Sequence, residues 1–240
     1  MKSVVSKIAV FITRGLKFFT ASPAEAGLLS FIRDEWKKAG YEVAAKNGNS
    51  EAQFILGCMY DKANDDAEAL KWLHKSAEQG YASAQFVLGL KYNNGDNGLK
   101  ENYSEAFKWF YKAAEQGDDE AQFWLGRMYD SGKGVKKDQI QAFKWFLKAA
   151  EQGHIRAQNK LGYMYFLGEG TNQSDSEAFE WSLKAAEQGD AFAQYLVGSL
   201  YIHGRGVQEN YSQGVKWLRR SARQDNSIAQ DKLKELNETW

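Results

Sequence analysis

Residues 119–153 read DEAQFWLGRMYDSGKGVKKDQIQAFKWFLKAAEQG, and they contain every motif that decides the fold. The Ala-Gln pair near the start of this stretch occurs six times along the chain. Its alanines are Ala52, Ala84, Ala121, Ala157, Ala193 and Ala229. The intervals between them are 32, 37, 36, 36 and 36 residues. Self-similarity at such an interval is typical of proteins built from structural repeats.

A second motif, Ala-Glu-Gln-Gly, closes each unit at a matching interval. Its copies begin at Ala77, Ala114, Ala150 and Ala186, and a decayed fifth copy covers residues 222–225. A tryptophan lies five residues before each closing alanine. These tryptophans are Trp72, Trp109, Trp145, Trp181 and Trp217. The sequence therefore predicts five full units, at residues 50–81, 82–118, 119–154, 155–190 and 191–225.

Each unit has the apolar spacing of two helices. Ala121, Leu125 and Met128 share one stripe of the first helix, and the second helix carries a stripe that includes Ala142 and Trp145. Paired glycines lie between the two helices in most units and favour a turn. Helix pairs of this size cannot bury their apolar faces alone, so we expect them to stack into an α-solenoid.

The combined pattern is Ala-x-x-x-Leu-Gly-x-x-Tyr, Gly-x-Gly-Val, Ala-x-x-Trp and Ala-Ala-Glu-Gln-Gly. It resembles the Sel1-like repeat, a relative of the tetratricopeptide repeat. The resemblance implies an all-α, right-handed α-solenoid of helix-turn-helix repeats. The first unit lacks the Gly-x-Gly-Val turn, and a sixth block carries Lys234 in place of the helical glycine. Residues 226–240 therefore predict a C-terminal capping helix.

The first 49 residues precede the repeats. Residues 22–49 begin with a capping box at Ser22 and predict an N-terminal capping helix. Residues 1–21 predict a basic amphipathic helix, for which three interpretations stay open: a cover for the first repeat, a membrane-surface helix, and a signal peptide. The residues of the possible membrane-surface helix are Lys7, Phe11, Arg14, Lys17 and Phe18.

Composition argues against several kinds of site. The chain has 31 basic and 31 acidic residues, so it lacks the excess positive charge on which nucleic-acid binding relies. Cys58 is the only cysteine, and we expect it to be a small buried residue rather than a reactive thiol. His74, His154 and His203 occupy different repeat positions and are expected on the surface or in loops. The sequence therefore predicts no catalytic residue, metal site or cofactor.

Tetratricopeptide-like geometry would place the first helix of each unit on the concave side, with the second and sixth positions after the opening alanine facing a groove. The candidate groove residues are Phe54, Phe86, Leu90, Phe123, Arg127, Asn159, Tyr163, Tyr195 and Ser199. The aromatic ladder among them, which consists of Phe54, Phe86, Phe123 and Tyr195, is either a binding surface or part of the core. As a binding surface, such a groove would suit an apolar peptide or a helix of a partner protein.

The resemblance implies a non-catalytic bacterial protein that binds a partner protein in this groove. An adaptor, a regulator and a toxin-neutralising immunity protein are all compatible with it. A membrane-surface scaffold attached by residues 3–19 is the alternative, and a cell-wall or β-lactam-related enzyme is a more distant one. We expect the protein in the bacterial cytoplasm, with membrane association or, if residues 1–26 are a signal peptide, export as the alternatives.

Overall fold

A computed structural model describes residues 37–240 as a succession of helices. Residues 37–46 are helical and are designated α1. The helices that follow are α2 (Ser50–Lys62), α3 (Asp66–Glu78), α4 (Ala82–Asn94), α5 (Tyr103–Glu115), α6 (Asp119–Ser131), α7 (Gln139–Glu151), α8 (Ile155–Leu167), α9 (Asp175–Glu187), α10 (Ala191–His203), α11 (Tyr211–Ala222) and α12 (Ser227–Glu235). No β-strand occurs in residues 37–240.

The helices pack in the order of the sequence. Each A helix, which is an even-numbered helix from α2 to α10, pairs with the B helix that follows it, and each B helix also packs against the next helix along the chain. Packing is therefore mainly between neighbours, which is the defining property of a solenoid. The predicted all-α solenoid is confirmed.

The helix ends explain several of the repeated polar residues. The side chain of Asp118 accepts a hydrogen bond from the N–H of Ala121 at 2.8 Å and so caps α6. Asp190 caps α10 in the same way through Ala193, also at 2.8 Å. In the first unit, which lacks the paired glycines, Asn64 takes the left-handed conformation with a φ of 57°. Asparagine tolerates this conformation better than most residues, so the shorter turn still closes.

The glutamines of the two repeated motifs bind one another. Gln122 is buried, and its Nε2 donates to the carbonyl of Ala114 at 3.2 Å. Its Oε1 accepts from Nε2 of Gln152 at 2.8 Å. The same bonds join Gln53 to Ala45 and Gln79, Gln85 to Ala77 and Gln116, Gln158 to Ala150 and Gln188, and Gln194 to Ala186 and Gln224. Both motifs thus recur because buried amides need partners.

The glycine inside each A helix permits close contact with its B helix. A Cβ added at Gly126 would lie 2.6 Å from Cδ1 of Phe146, which is fully buried. The phenyl ring therefore fills the space that a side chain at this position would occupy. Gly89 stands in the same relation to Phe110 in the second unit.

The predicted N-terminal features fall largely outside the described residues. The predicted helix of residues 1–21, with Lys7, Phe11, Arg14, Lys17 and Phe18, lies entirely outside them, as do residues 22–36 of the predicted capping helix. At the other end, Leu233 of α12 is fully buried and packs in a cluster with Leu218. In residues 37–240, no helix combines the length and the apolarity required to cross a membrane.

Candidate functional site

Four of the predicted groove residues meet in a cleft between α6 and α8. A cavity of about 330 Å³ lies there, and Phe123, Arg127, Asn159 and Tyr163 contribute to its wall. The other lining residues are Asp130, Phe146, Arg156 and Lys160. We call this set of eight residues the α6–α8 cleft. It joins the third and fourth units, since α6 belongs to one and α8 to the other.

Phe123 forms the floor of the cleft and is only 7% exposed. Its ring centroid lies 5.6 Å from that of Phe146 and 4.6 Å from that of His154, on which it stacks. The guanidinium of Arg156 covers it at 4.6 Å. At Phe123 the structure therefore favours the core interpretation of the aromatic ladder.

The other members of the aromatic ladder also pack within the solenoid. Phe54 contacts Tyr81, which precedes the next unit, with ring centroids 5.3 Å apart. Phe86 lies 5.8 Å from the buried ring of Phe110. Tyr195 is half-buried and packs against the cluster that contains Leu218. The four rings therefore do not line an open apolar groove, because each ring is partly covered by the packing between helices.

The remaining predicted residues differ in their surroundings. Leu90 is half-buried and packs against the core cluster around Phe110. Ser199 on α10 is half-buried. Arg127, in contrast, is exposed, whereas every other predicted groove residue is buried or half-buried.

The α6–α8 cleft carries more positive than negative charge. Lys160 pairs with Asp130 at 2.9 Å, and Arg156 pairs with Glu120 at 2.8 Å. Arg127 lies with its guanidinium over the ring of Trp124 at 4.5 Å. Among residues 37–240, Arg127 has no carboxylate within ion-pair distance, so its charge is available to a bound group.

Asn159 and Tyr163 supply further polar atoms in the cleft. The Nδ2 of Asn159 donates to Oδ1 of Asp190 at 2.9 Å. Its own Oδ1 is buried and has no hydrogen-bond partner among the described residues. Burial, with Tyr195 and Asp190 nearby, raises the pKa of Tyr163. Tyr163 therefore stays a neutral phenol at physiological pH and can donate a hydrogen bond.

A second cavity adjoins the cleft along α6. It has a volume of about 280 Å³ and shares Arg127 and Asp130 with the α6–α8 cleft. Its other lining residues are Asn93, Trp124, Met128, Ser131 and Lys133. We call it the adjoining cavity. Because Arg127 lines both spaces, a bound chain that followed α6 would pass this residue.

Several residues of these two cavities are not among the predicted groove residues. Trp124, Asp130 and Lys133 were not predicted on α6 and its following turn, nor were Arg156 and Lys160 on α8. The available signal was helical spacing. Trp124 and Asp130 lie three residues on either side of Arg127, while Arg156, Lys160 and Tyr163 follow the i, i+4, i+7 pattern of one helix face.

The surroundings of three titratable residues add to what the sequence predicts. His154 lies in the loop before α8, as expected, but it is buried, and its Nδ1 caps α8 by accepting the N–H of Ala157 at 3.1 Å. His74 is half-buried against Trp109, and burial lowers its pKa. Cys58 is half-buried beside the Leu73 cluster, and burial, with Asp61 nearby, raises its pKa. A raised pKa keeps the thiol protonated and poorly nucleophilic.

No group of three or more histidine, cysteine or acidic side chains in residues 37–240 is arranged to hold a metal ion.

The model of the Sel1 repeat matches residues 50–81, 82–118, 119–154, 155–190 and 191–226. The chain belongs to the Sel1 repeat family. Proteins of this family generally bind other proteins and serve as non-catalytic scaffolds.

Two solved structures support this assignment. A protective antigen of uropathogenic Escherichia coli with an SLR fold is 38% identical over 80% of this chain and 42% of its own, with a TM-score of 0.77. A Sel1 repeat protein from Oxalobacter formigenes is 35% identical over 82% of this chain and 57% of its own, with a TM-score of 0.71. This chain thus corresponds to about half the length of those proteins. No protein of curated function matches it.

Proposed function

We propose that this protein is a non-catalytic binding module that holds a partner protein along its A helices, with the α6–α8 cleft as the main contact site. The observation that carries the proposal is the grouping of Arg127, Asn159 and Tyr163 from two units around one open cavity. Arginine and tyrosine are enriched among the residues that dominate binding energy at protein interfaces.

Three features of the cleft support recognition of a polypeptide. Its floor is a packed aromatic ring, Phe123, which is held in place by stacking. Its wall presents Arg127, which has no ion pair among the described residues, and the neutral phenol of Tyr163, which can donate a hydrogen bond. A bound peptide supplies carbonyl and carboxylate oxygens that accept from such groups.

Site-specific photo-crosslinking in the native cell tests this proposal. A photoreactive phenylalanine analogue replaces Tyr163 in the cleft, and in a matched variant it replaces Tyr111, which is 41% exposed on the B helix α5. We expect a covalent adduct with one protein from position 163 and none with that protein from position 111. Adducts only from position 111, or none from either folded variant, would contradict the proposal.

The identity of the crosslinked protein also decides between the proposed roles. An adaptor or regulator would be bound to a signalling or assembly component, whereas an immunity protein would be bound to a toxin or effector. Coexpression of a captured toxin with the intact chain then measures protection of the cell directly. We expect the Tyr163→Ala variant to protect less well while retaining its helical content.

The segregated charge of the N-terminus favours a second candidate, a membrane-surface scaffold. Residues 1–24 contain four basic and no acidic side chains, and the apolar residues of the 3–19 segment share one half of a helical wheel. This segment lies outside the described residues. Cosedimentation with anionic liposomes tests the candidate: binding that is weakened by salt and lost on deletion of residues 1–21 supports it, whereas unchanged sedimentation of the deletion variant refutes it.

A further inference from the structure

We infer that the partner presents an acidic segment, whose carboxylates bind Arg127 in the α6–α8 cleft and Lys133 in the adjoining cavity. This inference rests on the proposed function and adds the chemistry of the partner to it.

The two cavities together hold an excess of positive charge. Their basic residues are Arg127, Lys133, Arg156 and Lys160. Two carboxylates oppose them, Asp130 in the wall and Glu120 next to it, and each is paired with a base of α8. Arg127 and Lys133 have no ion pair within the described part of the chain. Two positive charges are thus left for a ligand, one at each cavity.

Asp190 is the other acid near the cleft, and its charge is already compensated. Its Oδ1 accepts from Asn159 and from the backbone N–H of Ala193, which lies in the first turn of α10. The positive end of the helix dipole stabilises a carboxylate in this place. Asp190 therefore does not neutralise Arg127.

The guanidinium of Arg127 is held in position by stacked rings. It lies 4.5 Å from the ring of Trp124, and that ring stacks on Phe110 with centroids 5.6 Å apart and an angle of 13°. Phe110 is fully buried. A stacked guanidinium keeps its N–H groups free at the edge, where a carboxylate binds with two parallel hydrogen bonds.

Lys133 supplies the second charge at the far side of the adjoining cavity. Its Nζ lies 4.8 Å from the ring centroid of Tyr103 and 3.5 Å from the hydroxyl oxygen of that residue. The same hydroxyl donates to Oε2 of Glu101 at 2.7 Å, so this carboxylate offsets part of the Lys133 charge, and Arg127 is the stronger of the two anchors. The wall of the adjoining cavity also contains Trp124, which is half-buried and offers apolar surface to the aliphatic part of a glutamate side chain. The cavity therefore suits a chain that carries glutamate side chains.

The same arrangement is poorly suited to a nucleic acid. A phosphate backbone carries one negative charge per nucleotide and is bound through runs of cations. Here Asp130 lines both cavities together with Arg127, so a run of closely spaced phosphates would meet a carboxylate beside the main cation. An acidic polypeptide can place neutral residues opposite Asp130.

Fluorescence anisotropy with defined peptide mixtures tests the inference on the full chain. One mixture contains labelled, acetylated and amidated dodecapeptides with four glutamates among alanine, leucine and serine, and the matched mixture has glutamine in place of glutamate. We expect the glutamate mixture to bind at least about tenfold more tightly, and added salt to weaken its binding. Free and amidated C-termini then separate side-chain from terminal carboxylates.

Charge-neutral variants locate the binding. We expect Arg127→Gln to weaken the glutamate mixture about tenfold and Lys133→Gln to weaken it by a smaller factor. Arg223→Gln is the matched control, because Arg223 is exposed at the end of α11, away from both cavities. Circular dichroism confirms that all three variants keep their helical content.

Three results would overturn the inference. The first is equal affinity for the two mixtures, which includes no binding of either. The second is an equal effect of Arg127→Gln and Arg223→Gln on the binding of the glutamate mixture. The third is tighter binding of a single-stranded oligonucleotide than of the glutamate mixture. The proposed function has a separate outcome. A specific adduct at position 163 together with any of these results keeps the protein-binding function and rejects the acidic segment, whereas absence of the adduct rejects both.

Discussion

Among single residues, His154 shows that the helix-capping position of the repeat can carry a different side chain and still cap the helix. Asn49, Asp118, Asp190 and Asn226 cap α2, α6, α10 and α12 from the equivalent place. At the start of α8 the cap is the imidazole of His154, whose Nδ1 accepts the N–H of Ala157, so the proton of the neutral ring is assigned to Nε2. This Nε2 lies 3.4 Å from Oε1 of Glu120.

Substitution of His154 tests the capping role. Asparagine can accept the same N–H, whereas alanine cannot, and both variants lose the stacking on Phe123. We therefore expect His154→Ala to lower the free energy of unfolding by about 1 kcal/mol more than His154→Asn. Urea titration followed by circular dichroism measures the difference. Equal stabilities of the two variants would show that the cap contributes nothing.

The buried glutamines give a second prediction at this scale. Replacing Gln122 with alanine removes two hydrogen bonds, one donated to the carbonyl of Ala114 and one accepted from the amide of Gln152. We expect a loss of about 1–3 kcal/mol in the free energy of unfolding. Gln208→Ala is the control, since Gln208 is exposed in the turn before α11. A similar, small effect of both substitutions would mean that water replaces the lost hydrogen bonds.

At the scale of elements, the tryptophan of each B helix is the largest side chain that joins two units. Trp145 is 5% exposed and belongs to the cluster formed with α5 and α6. We expect Trp145→Ala to cost about 3–5 kcal/mol, as truncations of buried aromatic residues do. Trp240 is 44% exposed, and its replacement should change stability by less than about 0.5 kcal/mol. Chemical denaturation compares the two variants, and similar losses would refute the packing role of Trp145.

The helices themselves were predictable because their spacing is set by the helical turn. Alanines, leucines and tryptophans at fixed intervals indicated both helices of each unit, and the order of the units followed from their repetition. The choice between core and binding surface for Phe123 was not predictable, because a wheel drawn for one helix places this residue away from the stripe of Ala121. An A helix has a second buried side, toward the start of the next unit, and there His154 covers the ring.

The candidate site was predictable only in part for a similar reason. Arg127, Asn159 and Tyr163 were found from their repeat positions. Arg156 and Lys160 acquire their significance from Glu120 and Asp130, which are about one unit away along the chain. These ion pairs form only when two units are stacked. A repeat period of 36 residues does not specify the distance between successive A helices, so the sequence could not predict the pairs.

At the scale of the whole molecule, stability depends on junctions between neighbouring units. In the turn between α8 and α9, Gly170 has a φ of +68°, and a Cβ added there would lie 2.1 Å from the carbonyl oxygen of Gln139 in the preceding unit. Backbone cannot move aside as a flexible side chain can. The glycine is thus required by the contact between the third and fourth units as well as by its own conformation.

Replacing Gly170 with alanine should therefore weaken the junction between the third and fourth units more than the rest of the solenoid. Gly98→Ala is a matched control, because Gly98 has a similar φ of +71° but open space around its Cα. We expect the control to lose about 1–2 kcal/mol from its backbone conformation, and Gly170→Ala to lose more. In hydrogen exchange, protection should fall most in α7 and α8, next to the junction, and less in α2 and α11, because the units contact mainly their neighbours. Equal stabilities of the two variants would mean that this junction has no special role. A uniform loss of protection would mean that the solenoid unfolds as one unit.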